Sequence, residues 1–402
     1  MTALVTVVGI GADGWASLQD RPRRLVERAG TLIGGARHLA LAPPVAGQRR
    51  LTWPSPLRAG LGALLSSCSG EIVALASGDP LVSGVGSTLI DVLGRDRVEI
   101  IPAVSSVALA RARMRWPAET ASVLSLVGRD PRTLLRLLAP DRRVLILSGD
   151  GTTPRRVAEL LLAAGFGTSE LTVLSDLGTE REAAFRATAA DGVPAGFPPL
   201  NIVAVECAGT PAGLSLVAGL PDEVFEHDGQ LTKRDARASA LARLAPAPGQ
   251  LLWDVGAGAG SVAIEWMRTD ASCRAVAIES HPDRARRISA NAAALGVPGL
   301  RVVHGSAPGA LHGLEAPDAV FVGGGATGEG VLDLCWQALR PGGRLVVHGV
   351  TLQTESLLAA RYGTLGGELV RLSVERAAPL GTFDGWRPAR AVTQWSLRKD
   401  GS

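Results

Sequence analysis

The chain has 402 residues, 46% of them hydrophobic and 20% charged, with a net charge of +3. That length exceeds one ordinary core and suits two domains of roughly 150 to 220 residues, and the composition excludes a disordered chain. Aromatics make up only 4% and do not interleave with a basic cluster, so no nucleic-acid partner is expected.

Nearly all the cations are arginine, Lys233 and Lys399 being the only lysines, and guanidinium groups are planar donors suited to carboxylates. Cys68, Cys207, Cys273 and Cys335 are far apart, without a C-x-x-C pair or a histidine at ligand spacing. They read as reduced, mostly buried thiols, and no metal site is expected. The start MTALVTVVGIG lacks the pattern of a signal peptide, and about 18 uninterrupted apolar residues occur nowhere. A cytoplasmic protein without a membrane span is therefore expected.

In chain order, a strand at Leu4 to Val8 runs into GIGADG, Gly9 to Gly14. This string has dinucleotide-turn spacing, yet the acidic residue that should close the next strand about twenty residues on is absent. Leu32 to Leu41 reads as a short strand or turn followed by a loop, with Arg37 and His38 as polar residues of open role. Ile72 to Ala76 is a buried strand, Ser77-Gly78-Asp79-Pro80 a turn built on glycine, aspartate and proline, and a helix starts near Gly86. Strand Val98 to Ile101 leads to Ser105 and Ser106, which can cap a helix or also touch a ligand. After Trp116-Pro117 come strand Ser122 to Val127, a helical Leu134 to Leu138, strand Val144 to Ser148, and a helix from Thr153-Pro154 to Gly165. Strands Leu171 to Leu174 and Asn201 to Val205 complete two small α/β lobes, with a cleft expected near Ser77 to Pro80 and Gly128-Arg129.

Gly209 to Gly219 has no clear period and reads as a linker between domains at 1–208 and 220–402. Thr232 and Asp235, three apart before a small and apolar stretch, suggest a variant capping box. Then LLWDVGAGAGSVAIEW, Leu251 to Trp266, is strand, tight turn and helix, with glycines at 256, 258 and 260. Glycine permits positive φ and close backbone approach, and the amides of a helix start favour negative charge. The next strand, Ala275 to Glu279, ends on a carboxylate that can accept bonds from two ribose hydroxyls. Strands Leu300 to His304, Ala319 to Val322 and Arg344 to His348 follow, with helical segments between, as in a doubly wound sheet. Glu368 to Val374 and Ala391 to Leu397 alternate like an antiparallel pair added at its edge.

The C-terminal part, with DVGAGAG, AVAIES, GSAP at Gly305 to Pro308 and LRPGGRLVVHGV, resembles class I S-adenosylmethionine (SAM) methyltransferases. Within them, LPDEVFEHDGQLTKRDARA and VFVGGG are similar to the cobalamin-pathway methyltransferase that also decarboxylates. The N-terminal half, with VVGIGADG, IGGARHL, LASGDPLVSGVGSTL, IPAVSSVALARARMRW and SLVGRD, resembles the two-lobed tetrapyrrole methylases. Two such halves in this order resemble the fused, decarboxylating precorrin methyltransferases that act at carbons 5 and 15.

The resemblance implies SAM as cofactor, a small-molecule tetrapyrrole as substrate, and assembly into a homo-oligomer. It places Thr232, Gly256, Ala257, Gly258, Ala259, Gly260, Glu279 and Ala307 around SAM in the C-terminal half: the turn at the methionine end, Glu279 on the ribose, Ala307 near the adenine. In the N-terminal half it places Gly78, Asp79, Ser105 and Ser106 around a folded SAM. Three positions depart from the family's patterns: Ala12 stands for a proline, Val127 for a histidine and Gly325 for a serine-containing turn. The chemistry implied asks little of side chains, because an electron-rich tetrapyrrole carbon attacks a sulfonium methyl when the two are held in line and dry. No catalytic residue stands out. Arg37, Arg111, Arg113, Arg129, Lys233 and Arg234 are candidates for the substrate's carboxylates. Two rival classes share the glycine turns: a nicotinamide-dependent dehydrogenase, and a SAM-binding protein without catalysis.

Overall fold

In the computed structural model, which describes residues 4–209 and 214–401, the chain forms two compact units. Residues 1–131 and 139–211 make up one unit, and residues 132–138 and 212–402 the other. Four residues of the expected linker, 210–213, lie outside the described residues.

The first unit opens with a five-stranded parallel sheet of β1 (Val5–Ile10), β2 (Thr31–Gly34), β3 (Arg49–Thr52), β4 (Ile72–Ser77) and β5 (Val98–Ile101), in the order β3-β2-β4-β1-β5. Its inner strands β2, β4 and β1 read as apolar runs because both faces are covered, whereas the edge strand β3 is Arg49-Arg50-Leu51-Thr52 and partly exposed. Val8, Ile10, Leu32 and Leu75 pack on one side with Val26 of α1 (Asp20–Arg28); Val5, Val7, Ile33 and Ala74 pack on the other with Leu61 and Leu89. The stretch after β2 is not a loop: Ala36–Leu41 is a short helix, α2. Leu61 belongs to α3 (Leu57–Ser66) and Leu89 to α4 (Val85–Leu93); neither β3 nor α3 was legible in the sequence. The second sheet holds β6 (Ala121–Ser125), β7 (Arg143–Leu147), β8 (Glu170–Ser175), β9 (Ala183–Thr188) and β10 (Asn201–Glu206), in the order β6-β7-β10-β8-β9. Its only parallel pair is β6 with β7. α5 (Ser106–Met114) precedes this sheet and α6 (Thr153–Ala163) lies within its sequence.

The second unit is a seven-stranded sheet of β11 (Leu251–Val255), β12 (Arg274–Glu279), β13 (Arg301–His304), β14 (Ala319–Val322), β15 (Arg344–Gly349), β16 (Glu368–Leu372) and, numbered after a separate hairpin, β19 (Val392–Arg398). The hairpin pairs β17 (Glu375–Leu380) with β18 (Phe383–Pro388) and was not expected from the sequence. The order β13-β12-β11-β14-β15-β19-β16 reverses between β11 and β14, and the last two strands are the antiparallel edge addition. Helices cover both faces. Leu252, Ala277, Phe321 and Val346 pack with α7 (Arg234–Leu244), α8 (Ser261–Thr269) and α9 (Pro282–Ala294). Trp253, Val255, Val320 and Val347 pack with α10 (Val331–Ala338) and Leu358 of α11 (Leu352–Leu365). No helix among the described residues is long and apolar enough to cross a membrane.

A buried ion pair fixes the segment that leads into α7. Glu265 on α8 accepts from the Gly219 and Leu220 amides at 2.7 and 3.0 Å and from Arg237 Nε at 2.6 Å. Arg237, fully buried, also donates to the Leu220 and Thr232 carbonyls and to Asp222 at 3.2 Å, and lies 4.8 Å from the Phe225 ring. The proposed capping box does not form. Lys233 is the N-cap and its side chain makes no cap bond; Asp222 accepts from the Arg234 amide at 3.0 Å, and Asp235 pairs with Arg376 at 2.6 Å. A carboxylate twelve residues upstream meets the orphan amide that a local box would have satisfied.

Candidate functional sites in the two units

In the second unit the carboxyl ends of neighbouring strands gather the expected residues. The turn after β11 holds Gly256, Gly258 and Gly260 at φ values of +67°, +59° and +77°, which L side chains rarely adopt. Close approach reinforces the need for glycine. A Cβ on Gly256 would lie 2.6 Å from the Gly324 carbonyl oxygen, and one on Gly258 would lie 2.7 Å from the Gln230 carbonyl oxygen. Hence Gly324, after β14, backs the turn from one side, and the segment before Thr232 closes it from another. Ala257 is half-buried, whereas Ala259 is buried with its carbonyl taken by Asn291 at 3.0 Å.

Glu279 is buried at the end of β12. Its Oε2 accepts from the Gly258 amide at 2.8 Å and its Oε1 from the His281 amide at 2.9 Å, so the carboxylate clamps the glycine turn. A carboxylate oxygen has two lone pairs, so one on each oxygen remains. The Glu279 carbonyl accepts from the Gly305 amide at 3.0 Å, which brings the Gly305 to Pro308 loop and Ala307 alongside. Asp254, in the same DVGAGAG string, was missed as a site residue. Its Oδ2 accepts from the Ala263 amide at 3.0 Å, while Oδ1 is buried without a partner. Burial first, then the nearby Glu279 charge, pushes its carboxyl up to about 7, against the Ala263 bond. Its place one residue before the end of β11, just ahead of the turn, was the available signal. A buried orphan acceptor beside a positive-φ turn and an acidic strand end fits a SAM-type ligand at a topological switch point.

In the first unit a cavity of about 400 Å³ lies between the lobes, within the usual range for small-molecule sites. Gly78, Asp79, Ser105 and Ser106 all line it. Gly78 adopts φ +49°, and a Cβ there would lie 2.8 Å from Ser105 Cα, so the two expected ligand-holding turns abut. Asp79 Oδ1 accepts from the Leu81 amide at 2.9 Å, and Ser105 caps α5 through the Ala108 amide at 3.1 Å. The wall reaches Val127 but stops short of Gly128 and Arg129. Among the arginine candidates, Arg37 lines the cavity, whereas Arg113 is committed to Glu182 at 2.5 and 3.0 Å. Lys233 lies 3.6 Å from Asp222, and Arg129 and Arg234 are exposed.

Residues 4–191 match the family model described as Tetrapyrrole (Corrin/Porphyrin) Methylases, and residues 223–399 match the one described as Precorrin methyltransferase domain. A Sinorhizobium protein named precorrin-6Y C(5,15)-methyltransferase [decarboxylating] is 46% identical over 98% of this chain and 96% of its own length. Two shorter relatives cover less of the chain. A Salmonella typhimurium protein named cobalt-precorrin-7 C(5)-methyltransferase is 33% identical over 44% of this chain and 88% of its own length. One from Saccharolobus solfataricus, named a probable cobalt-precorrin-6B C(15)-methyltransferase (decarboxylating), is 30% identical over 35% of this chain and 73% of its own. With a tetrapyrrole methylase half, a precorrin methyltransferase half and a relative matched almost end to end, the chain belongs to the precorrin-6Y C(5,15)-methyltransferase (decarboxylating) family.

Proposed function

We propose that this chain methylates a precorrin at carbons 5 and 15 with SAM and removes the ring C acetate carboxyl as carbon dioxide, giving precorrin-8 in cobalamin biosynthesis. The observation that carries this reading is the 46% identity to a relative of that name across nearly the whole of both chains. The full-length relative's name carries no cobalt, which favours a metal-free precorrin; the cobalt-named relatives are matched over less than half of this chain.

SAM supplies an electrophilic methyl group on sulfonium sulfur. Residues 1–208 form the half assigned to carbon 5, and residues 220–402 the half assigned to carbon 15 and decarboxylation. In the C-terminal half, Gly256 to Gly260 receive the methionine end, Glu279 the ribose and Ala307 the adenine, with Thr232 flanking the turn. In the N-terminal half, Gly78, Asp79, Ser105 and Ser106 line the SAM site. The protein's work is to align donor and carbon and to exclude water, which contributes several kcal/mol in comparable bimolecular steps (~7–11 at the extreme). Loss of carbon dioxide draws on the conjugated macrocycle as electron sink.

Turnover on the precorrin is expected to give a product with two added methyl groups and one carboxyl lost, and calorimetry on the full chain two SAM sites. A product mass unchanged by the enzyme, or turnover with NADH in place of SAM, overturns the reading. Glu279→Ala is expected to lower SAM affinity in the C-terminal half by about tenfold or more, since charge-assisted bonds contribute roughly 1.5–3 kcal/mol each. Unchanged affinity would leave Glu279 the turn clamp alone.

A further inference from the structure

The wall of the N-terminal cavity carries a cation that the fold does not neutralise. Arg37 and His38 stand in the first turn of α2, and Ser77 ends β4; all three line the cavity. Arg37 Nη2 donates to Ser77 Oγ at 2.9 Å and reaches His38 Nε2 at 2.8 Å, while Ser77 Oγ lies 2.8 Å from the same imidazole nitrogen. Burial, then the Arg37 charge, lowers the His38 pKa to about 4, so near neutral pH the ring is uncharged. Arg37 donates to Ser77 Oγ, and the single acceptor lone pair of the neutral ring at His38 Nε2 takes a hydrogen from either Arg37 or Ser77, while Nδ1 is buried without a partner. No carboxylate lies within ion-pair distance of Arg37 among the described residues, and its Nη1 and Nε make no bond to the protein there. Asp79, the acidic residue of the same wall, spends Oδ1 on the Leu81 amide. A guanidinium fixed by neutral partners in a concave site, with donors left over, is built for an anion supplied from outside.

We propose that Arg37 binds a ligand carboxylate in this cavity, with His38 and Ser77 as the positioning residues that hold the guanidinium in place. The inference rests on the reading that this half methylates a tetrapyrrole. The carboxylate belongs to an acid side chain of the macrocycle or to the methionine end of SAM, and the two sources are separable.

The test is steady-state methylation at carbon 5 by the full chain, followed by product mass. Arg37→Gln is expected to raise KM for one of the two substrates about ten- to hundredfold, with kcat within about threefold and thermal unfolding unchanged. Repeating the measurement with decarboxylated SAM as methyl donor assigns the source. A penalty that persists places the macrocycle's carboxylate on Arg37; one that vanishes places SAM's there. His38→Leu and Ser77→Ala are expected to raise the same KM by less, and His38→Gln, which keeps an acceptor, to recover most of the loss. KM values for both substrates within twofold of wild type in Arg37→Gln overturn the proposal. A wild-type chain that does not methylate carbon 5 defeats the functional reading instead.

Discussion

Glu265→Ala is expected to destabilise the C-terminal unit by about 3–5 kcal/mol, the range for leaving a buried charge without its partner. Arg237 is fully buried and Glu265 is 3% exposed, so water cannot replace the lost carboxylate. The Gly219 and Leu220 amides lose their acceptor in the same substitution. Because those residues and Thr232 hang on the Arg237–Glu265 pair, the path over the glycine turn should loosen with it. Replacing both partners, Arg237→Met with Glu265→Leu, removes the uncompensated charge but leaves the Gly219 and Leu220 amides and the Leu220 and Thr232 carbonyls without these partners, so it is expected to recover only part of the loss. Chemical denaturation followed by tryptophan fluorescence reads this directly, with Trp253 and Trp266 buried in that unit. A single variant within about 1 kcal/mol of wild type would show that the pair does not hold the segment.

Gly256→Arg is expected to abolish carbon-15 methylation and carbon dioxide release while the N-terminal half still binds SAM. A side chain at this position would fill the ligand's place. The structure shows a more severe cause: the first added carbon already lies 2.6 Å from the Gly324 carbonyl oxygen and 2.8 Å from its amide, on a residue with φ +67°. The turn and the Val322 to Gly325 loop must move apart before any ligand is considered, which displaces the switch point itself. The N-terminal unit has its own sheets and cores, so SAM stoichiometry should fall from two to one per chain. Product mass decides the matter: a doubly methylated product from this variant would disprove the division of labour between the halves.

Residues that act through local backbone geometry were legible in the sequence. The strand Leu251–Val255, the positive-φ glycines at 256, 258 and 260 and the acidic end at Glu279 follow from chain-local rules of turn and strand, and so does the Ser77 to Pro80 turn. That the strands of the C-terminal sheet run parallel was implied by their alternation with helices, while their order was decided by the fold. Partners distant in sequence were not legible. Asp222 caps α7 where Thr232 and Asp235 were expected to, because any carboxylate that the fold brings to the orphan amide serves as well as a local one. Arg113 was a free candidate in the sequence and is bound to Glu182, 69 residues away. The exposed hairpin of β17 and β18 lacks the buried, alternating face by which a strand announces itself. Only the packing of β2, α2 and β4 could bring Arg37, His38 and Ser77 together, 39 or 40 residues apart. A histidine's charge state depends on such neighbours and on burial, and both are properties of the folded chain.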